Sequence, residues 1–107
     1  MNFTERTILK LLLEEAKRDG YAVHGVAPHP PEGEDGDTIA GAPLLLAEIV
    51  KHMDTWAANF QLEFRAPGKQ GFWLRWIPGN REDAIHDYQN SLAANNIIHR
   101  VYKEIRD

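Results

Sequence analysis

The chain has 107 residues, no cysteine and a formal net charge of −4, with 43% apolar and 26% charged residues. These fractions are typical of one globular domain, and the lack of cysteine excludes disulfides, cysteine-ligated zinc and thiol catalysis. No apolar run is long enough to span a bilayer, so we expect a complete, cytoplasmic chain, residues 1–107, without a membrane partner.

The first predicted element is a helix from about Glu5 to Asp19. Thr4 is its predicted N-cap, and Glu5 favours the positive end of the helix dipole. Apolar residues recur at spacings of three and four, which predicts one buried face. Gly20 should end the helix because glycine takes a positive φ without a Cβ clash. A short strand, 21–26, should follow.

Residues 27–42 are rich in proline and glycine and carry four acids: Glu32, Glu34, Asp35 and Asp37. This composition predicts a mobile, solvated acidic loop. The spacing of the acids does not match the ligand ladder of a calcium loop. A second helix should begin near Pro43, since a first-turn proline costs no hydrogen bond. Its apolar stripe is Leu46, Ile49, Val50, Met53 and Ala57, with Trp56 beside it.

The hydrophobic period then changes from 3.6 to 2, which predicts two strands, 60–65 and 72–77, joined by a hairpin loop at 66–71. One face of this hairpin should be buried: Phe60, Leu62, Phe64, Phe72, Leu74 and Trp76. Residues of the opposite face should be partly exposed: Glu63, Arg65, Trp73 and Arg75. The sequence therefore predicts an amphipathic hairpin with one open face.

A turn at Pro78-Gly79-Asn80 should lead into a strand at 84–88, and Asn90 or Ser91 should cap a closing amphipathic helix. Gly79 is expected to have a positive φ. The element order is α-β-α-β-β-β-α. Sequential strands with tight turns pair antiparallel, so we predict an α+β fold with a small antiparallel sheet of three to four strands and helices packed on it.

The segment after the second hairpin strand contains Gly79-Asn80 and then Asp83-x-Ile85-x-Asp87-Tyr88. This pattern resembles a group of small phage and prophage proteins with an aromatic strand, a Gly-Asn turn and a related acidic segment. The specific likeness covers about 71–92. Pro78 departs from the tyrosine usual there, and Arg81-Glu82 replaces Asp-Gly. The resemblance implies an origin in a mobile element and assigns no catalytic residue or cofactor.

Asp83, His86 and Asp87 are close enough in sequence to raise a metal-binding hypothesis. On a strand, however, His86 and Asp87 face opposite sides, so both cannot bind one ion without a bulge. We expect Asp83 and Asp87 to accept hydrogen bonds from backbone N–H groups instead. Ser91 has no glycine-flanked elbow around it, which argues against a serine nucleophile. The sequence therefore predicts no catalytic residue, metal site or cofactor.

The candidate binding residues are Glu63, Arg65, Trp73 and Arg75, on the open hairpin face. Tryptophan and arginine dominate many protein-binding surfaces, which favours a non-enzymatic protein that binds a host or phage protein or forms a homodimer. A second hypothesis is a module that binds single-stranded nucleic acid through the 60–77 hairpin, with basic side chains on the phosphates and an aromatic side chain for stacking: Arg65, Lys69, Trp73, Arg75 and Arg81. The net negative charge disfavours it.

Overall fold

The computed structural model describes residues 3–29, 39–40, 44–55 and 59–106. The helices in these ranges are α1 (Phe3–Arg18), α2 (Leu46–Thr55) and α3 (Leu92–Arg106). The strands are β1 (Ala22–His29), β2 (Ile39–Ala40), β3 (Asn59–Ala66), β4 (Lys69–Trp76) and β5 (Ile85–Tyr88), and a 3-10 turn, Arg81–Asp83, precedes β5. The predicted α+β class and element order are confirmed. The two-residue β2 adds a short strand at one edge.

The strands form one antiparallel sheet in the order β2-β1-β3-β4-β5. The helices cover one face, where α1 packs against both α2 and α3. The hairpin residues predicted to be buried are all at most 3% exposed: Phe60, Leu62, Phe64, Phe72, Leu74 and Trp76. The predicted strand register is therefore confirmed, because a slip of one residue would have exchanged the faces.

The C-terminal end of α1 has a Schellman motif. Tyr21 N–H donates to Ala16 O (2.8 Å), Gly20 N–H donates to Lys17 O (3.0 Å), and Gly20 has φ +85°. These bonds satisfy helix carbonyls that would otherwise lack partners. Tyr21 and Ala16 are both buried in the core. The predicted glycine stop is confirmed, and it directs the chain from α1 into β1.

The N-terminal end of α1 differs from the prediction. The helix already includes Phe3, so Thr4 lies in its first turn and is not the N-cap. Glu5 is only 1% exposed, and its Oε1 accepts a hydrogen bond from Gly79 N–H at 2.8 Å. Glu5 therefore joins α1 to the turn before β5, a contact between residues 74 positions apart that no local pattern indicates.

The hairpin loop is shorter than predicted. β3 continues to Ala66 and β4 begins at Lys69, which leaves Pro67 and Gly68 as a two-residue turn. Gly68 has φ +70°, as expected of glycine after proline in a tight turn. The prediction of a loop at 66–71 was wrong because the exposed polar end of the strand lacks an alternating apolar signal.

The predicted loop at 27–42 is partly strand. β1 extends to His29, three residues past its predicted end, and residues 39–40 pair with its central part. The acids of this segment lie outside the described residues. So do the predicted helix start at Pro43 and the contacts of Met53, Trp56 and Ala57. The described part of α2 begins at Leu46 and buries Ile49 and Val50.

The segment from Gly79 to Ser91 follows the prediction in most respects. Gly79 has φ +86°, and Ser91 Oγ accepts a hydrogen bond from Ala94 N–H (3.1 Å), so Ser91 caps α3. Asp87 Oδ1 accepts a bond from Tyr88 N–H (2.9 Å), as expected. The expected side-chain bond of Asp83 is not observed in the described structure: Asp83 instead contributes its backbone N–H, which donates to Asn80 O (3.0 Å). No described helix has both the length and the apolar character needed to cross a membrane.

Candidate functional site

The face of the sheet opposite the helices is left uncovered by the described helices. We call it the outer face and define it by the residues that alternate with the buried ones: Gln61, Glu63, Arg65, Gly71, Trp73, Arg75 and Asp87. The register places Glu63 opposite Trp73, and Arg75 between Gln61 and Asp87. The four predicted binding residues, Glu63, Arg65, Trp73 and Arg75, therefore lie on one surface.

Trp73 is half-buried near the centre of this face. The Arg75 guanidinium lies 4.5 Å from the centroid of the indole ring, a cation–π contact. Arg75 Nη1 is 3.6 Å from Asp87 Oδ2, while its Nε is buried without a hydrogen-bond partner in the described structure. The side chain of Arg75 is 33% exposed. The stack and the ion pair hold a large aromatic surface in place while part of it remains open to solvent.

The charges of the outer face are balanced. Arg65 Nη2 is 3.3 Å from Glu63 Oε2, and both side chains are substantially exposed. Arg75 is paired with Asp87, so two arginines and two acids give a formal sum of zero. Exposed pairs of this kind add little to folding stability. Little folding free energy is therefore lost when one of these side chains pairs with a charged residue of a partner instead.

A depression of about 350 Å³ lies beside Trp73 on the outer face. Its walls include Glu63, Arg65 and Trp73, and Gly71 forms part of its floor. A Cβ atom at Gly71 would lie 2.6 Å from Phe64 O, closer than packing allows. A larger residue at position 71 would therefore force β3 and β4 to shift here, and Gly71 lines the same depression as Trp73.

The bases proposed for nucleic-acid binding are not brought together. Lys69 Nζ donates to Asp19 O (2.9 Å) at the end of α1 and lies 5.7 Å from the Tyr21 ring centroid. Arg81 lies beyond the opposite end of β4, in the 3-10 turn, where its φ is +52°. Only Arg65, Trp73 and Arg75 of that set belong to the outer face.

The metal-binding hypothesis finds no geometric support. In the described ranges, no group of three or more His, Asp or Glu side chains could hold a metal ion. Asp87 instead accepts the Tyr88 N–H and pairs with Arg75, while His86 is exposed at the sheet edge. Asp87 was not predicted as part of the outer face. Asp87 could have been identified by its charge, which is opposite to that of Arg75, but only after β5 is placed in register with β4.

The free edge of β5 is poorly suited to pairing with another strand. The strand has four residues, and its pairing with β4 shifts register between Arg75 and Trp76. The Tyr88 N–H is already satisfied by the Asp87 carboxylate. Short strands, bulges and charged side chains are the devices by which proteins discourage edge-to-edge pairing. Addition of another strand at this edge is therefore disfavoured.

No protein-family model matches this chain, and comparisons with curated proteins and with solved structures also give no match.

Proposed function

We propose that this chain is a non-enzymatic protein-interaction module of phage or prophage origin, which acts in the cytoplasm. It binds a host or phage protein, or a second copy of itself, through the outer face. The observation that carries the proposal is the partly exposed Trp73, stacked on Arg75, on a sheet face that the described helices leave open. Tryptophan and arginine are the residues most enriched in the energetic centres of protein interfaces.

The balanced charge of the outer face supports a protein partner over nucleic acid. Both arginines already have acidic neighbours, Glu63 and Asp87, within 3.6 Å. An acid in the middle of the face repels phosphate, whereas it pairs readily with a lysine or arginine of a partner protein. The outer face therefore lacks the net positive potential on which phosphate binding depends.

Among the described residues, the groups whose pKa values are shifted lie at packing contacts and not on the outer face. Hydrogen bonding from Arg100 lowers the pKa of Glu15, and the same bond raises the pKa of Arg100. Burial raises the pKa of Tyr102, whose hydroxyl donates to Glu82 O at 2.8 Å. Each group joins α1 or α3 to another part of the fold. These shifts are accounted for by packing and require no catalytic role.

Affinity capture from the native host tests the proposal. The immobilised wild-type protein should retain a discrete protein partner, and Trp73→Ala should weaken that retention by at least tenfold, or about 1.4 kcal/mol. Leu92→Ala is the matched control, because Leu92 is 78% exposed but belongs to α3 in the helical layer. Circular dichroism should show that both variants are folded at the temperature of the capture experiment, although Trp73→Ala is expected to lower the unfolding midpoint because Trp73 is half-buried.

The outcomes separate the two functions. Equal capture by Trp73→Ala and the wild type would contradict a role for the outer face. Binding of the purified protein to single-stranded oligonucleotides, with a steep loss of affinity as salt is added, would favour nucleic acid instead. Arg75→Ala should then reduce the salt slope by about one charge.

A further inference from the structure

We infer that the outer face binds a second copy of this chain face to face. The two-fold axis would run across the strands, between Glu63 and Arg65 on β3 and between Trp73 and Gly71 on β4. The register of the two strands shifts between Phe64 and Ala66, so Arg65 and Gly71 are neighbours without being a directly paired row. This inference rests on the proposed function and names the partner in it. It follows from one property of the outer face. On β3 and on β4, a side chain lies two residues from the position that it would contact in the second copy: Glu63 from Arg65, and Trp73 from Gly71.

The first complementary pair is electrostatic. Glu63 and Arg65 are two residues apart on β3, about 7 Å, and both point to the same face. A two-fold rotation about an axis between them places Glu63 over Arg65 of the second copy, and Arg65 over its Glu63. The two pairs that exist within the separate chains, one in each, are then exchanged for two pairs between the chains. A self-complementary patch of this kind is what an isologous interface requires.

The second complementary pair is steric. Trp73 and Gly71 are two residues apart on β4, and Trp73 borders the depression whose floor includes Gly71. The same rotation places each indole over the depression of the other copy. Gly71 cannot acquire a side chain without meeting Phe64 O. The depression is therefore maintained by the backbone, and a tryptophan filling it would bury much of its 150–250 Å² surface.

The size of the face sets the expected strength of the contact. β1, β3 and β4 each have eight residues and are about 26 Å long, whereas β5 has four and is about 13 Å long; at a strand spacing of about 4.8 Å the face measures about 440 Å². Two such faces bury roughly 900 Å², which is the size of weak, reversible interfaces. A reversible dimer with a micromolar dissociation constant is therefore expected. The protected edge of β5 disfavours dimerisation by strand addition at that edge.

Sedimentation equilibrium with charge-exchange variants tests the inference. The wild type should dimerise between about 1 and 500 μM. Glu63→Arg and Arg65→Glu should each raise the dissociation constant about tenfold or more, because each places like charges face to face. The double variant E63R/R65E should dimerise like the wild type. An equimolar mixture of the two single variants should form a heterodimer. One variant has arginine at both positions 63 and 65, the other has glutamate at both, and the two therefore attract each other. Glu104→Arg is the control, an exposed acid on α3.

The results that would contradict the dimer are different from those that would contradict the proposed function. A wild-type protein that is monomeric across the whole range overturns the inference, while Trp73-dependent capture of another protein still supports the proposed function. Dimers that are equally stable in the wild type and both single variants also overturn it, because the interface then lies elsewhere. Far-ultraviolet circular dichroism verifies that each variant is folded, and the mixing experiment remains decisive even if the double variant does not fold.

Discussion

Replacing Glu15 with glutamine should weaken the contact between α1 and α3. The Glu15 side chain is only 8% exposed, and its Oε2 accepts a bond from Arg100 Nε at 2.7 Å. Its Oε1 pairs with Arg18 Nη1 at 3.1 Å. Arg100 also donates to Asp19 Oδ2 at 3.0 Å, which keeps part of the contact in the variant. Loss of one charge-assisted hydrogen bond at a mostly buried site should lower the free energy of unfolding by about 1.5–3 kcal/mol at neutral pH.

The pH dependence of this effect has a definite sign. The hydrogen bond from Arg100 lowers the pKa of Glu15 below 4.5, its ordinary value, despite the opposing effect of burial. The folded protein therefore holds this proton less tightly than the unfolded chain does. The stabilisation is complete above the unfolded pKa and is lost as the pH falls through the folded pKa. The difference in the free energy of unfolding between the wild type and Glu15→Gln should accordingly become smaller as the pH is lowered.

Urea denaturation at neutral pH and near pH 3 measures both predictions. Glu14→Gln is the matched control, because Glu14 is the exposed neighbour on the same helix and its replacement removes the same charge. The control should change the free energy of unfolding by less than about 0.5 kcal/mol. A Glu15→Gln variant as stable as Glu14→Gln, or a loss of equal size at both pH values, would refute this account of the helix contact.

Three further substitutions test the fold by the same denaturation measurement. Leu74→Ala should cost about 2–5 kcal/mol, because Leu74 is fully buried; a loss below about 0.5 kcal/mol would contradict the strand register. Gly71→Ala should cost about 1–3 kcal/mol, since its Cβ would overlap Phe64 O, and a neutral effect would mean that the strands can separate there. Gly79→Val should cost about 1–2 kcal/mol because φ is +86°. Asn tolerates this region better, so equal losses in Gly79→Val and Gly79→Asn would argue against backbone strain.

The sequence predicted the elements whose signals are local and periodic. Alternation along β3 and β4 distinguished the buried face from the face of Glu63 and Trp73, because side chains on a strand alternate strictly. Gly20 and Ser91 marked helix ends because each satisfies backbone groups within a few residues of itself. These features do not depend on how distant parts of the chain meet.

The features that the sequence did not predict depend on contacts between distant residues. Glu5 bonds to Gly79 across the fold, and Arg100 reaches Glu15 85 residues away. Both acids look like ordinary exposed helix residues in the sequence. Asp87 joined the outer face only once the sheet order placed it opposite Arg75. The candidate site was therefore predicted in its central residues, while its edges required the three-dimensional structure.

Photocrosslinking in the native host tests most directly whether the outer face is the binding surface. A benzophenone side chain at Gln61, on the outer face, is compared with one at Lys103, on the exposed side of α3. We expect a discrete protein adduct, to another protein or to a second copy, from position 61, and we expect Trp73→Ala to abolish it. Adducts from position 103 alone, adducts from position 61 that persist in Trp73→Ala, or crosslinks from position 61 to nucleic acid would contradict the proposed function.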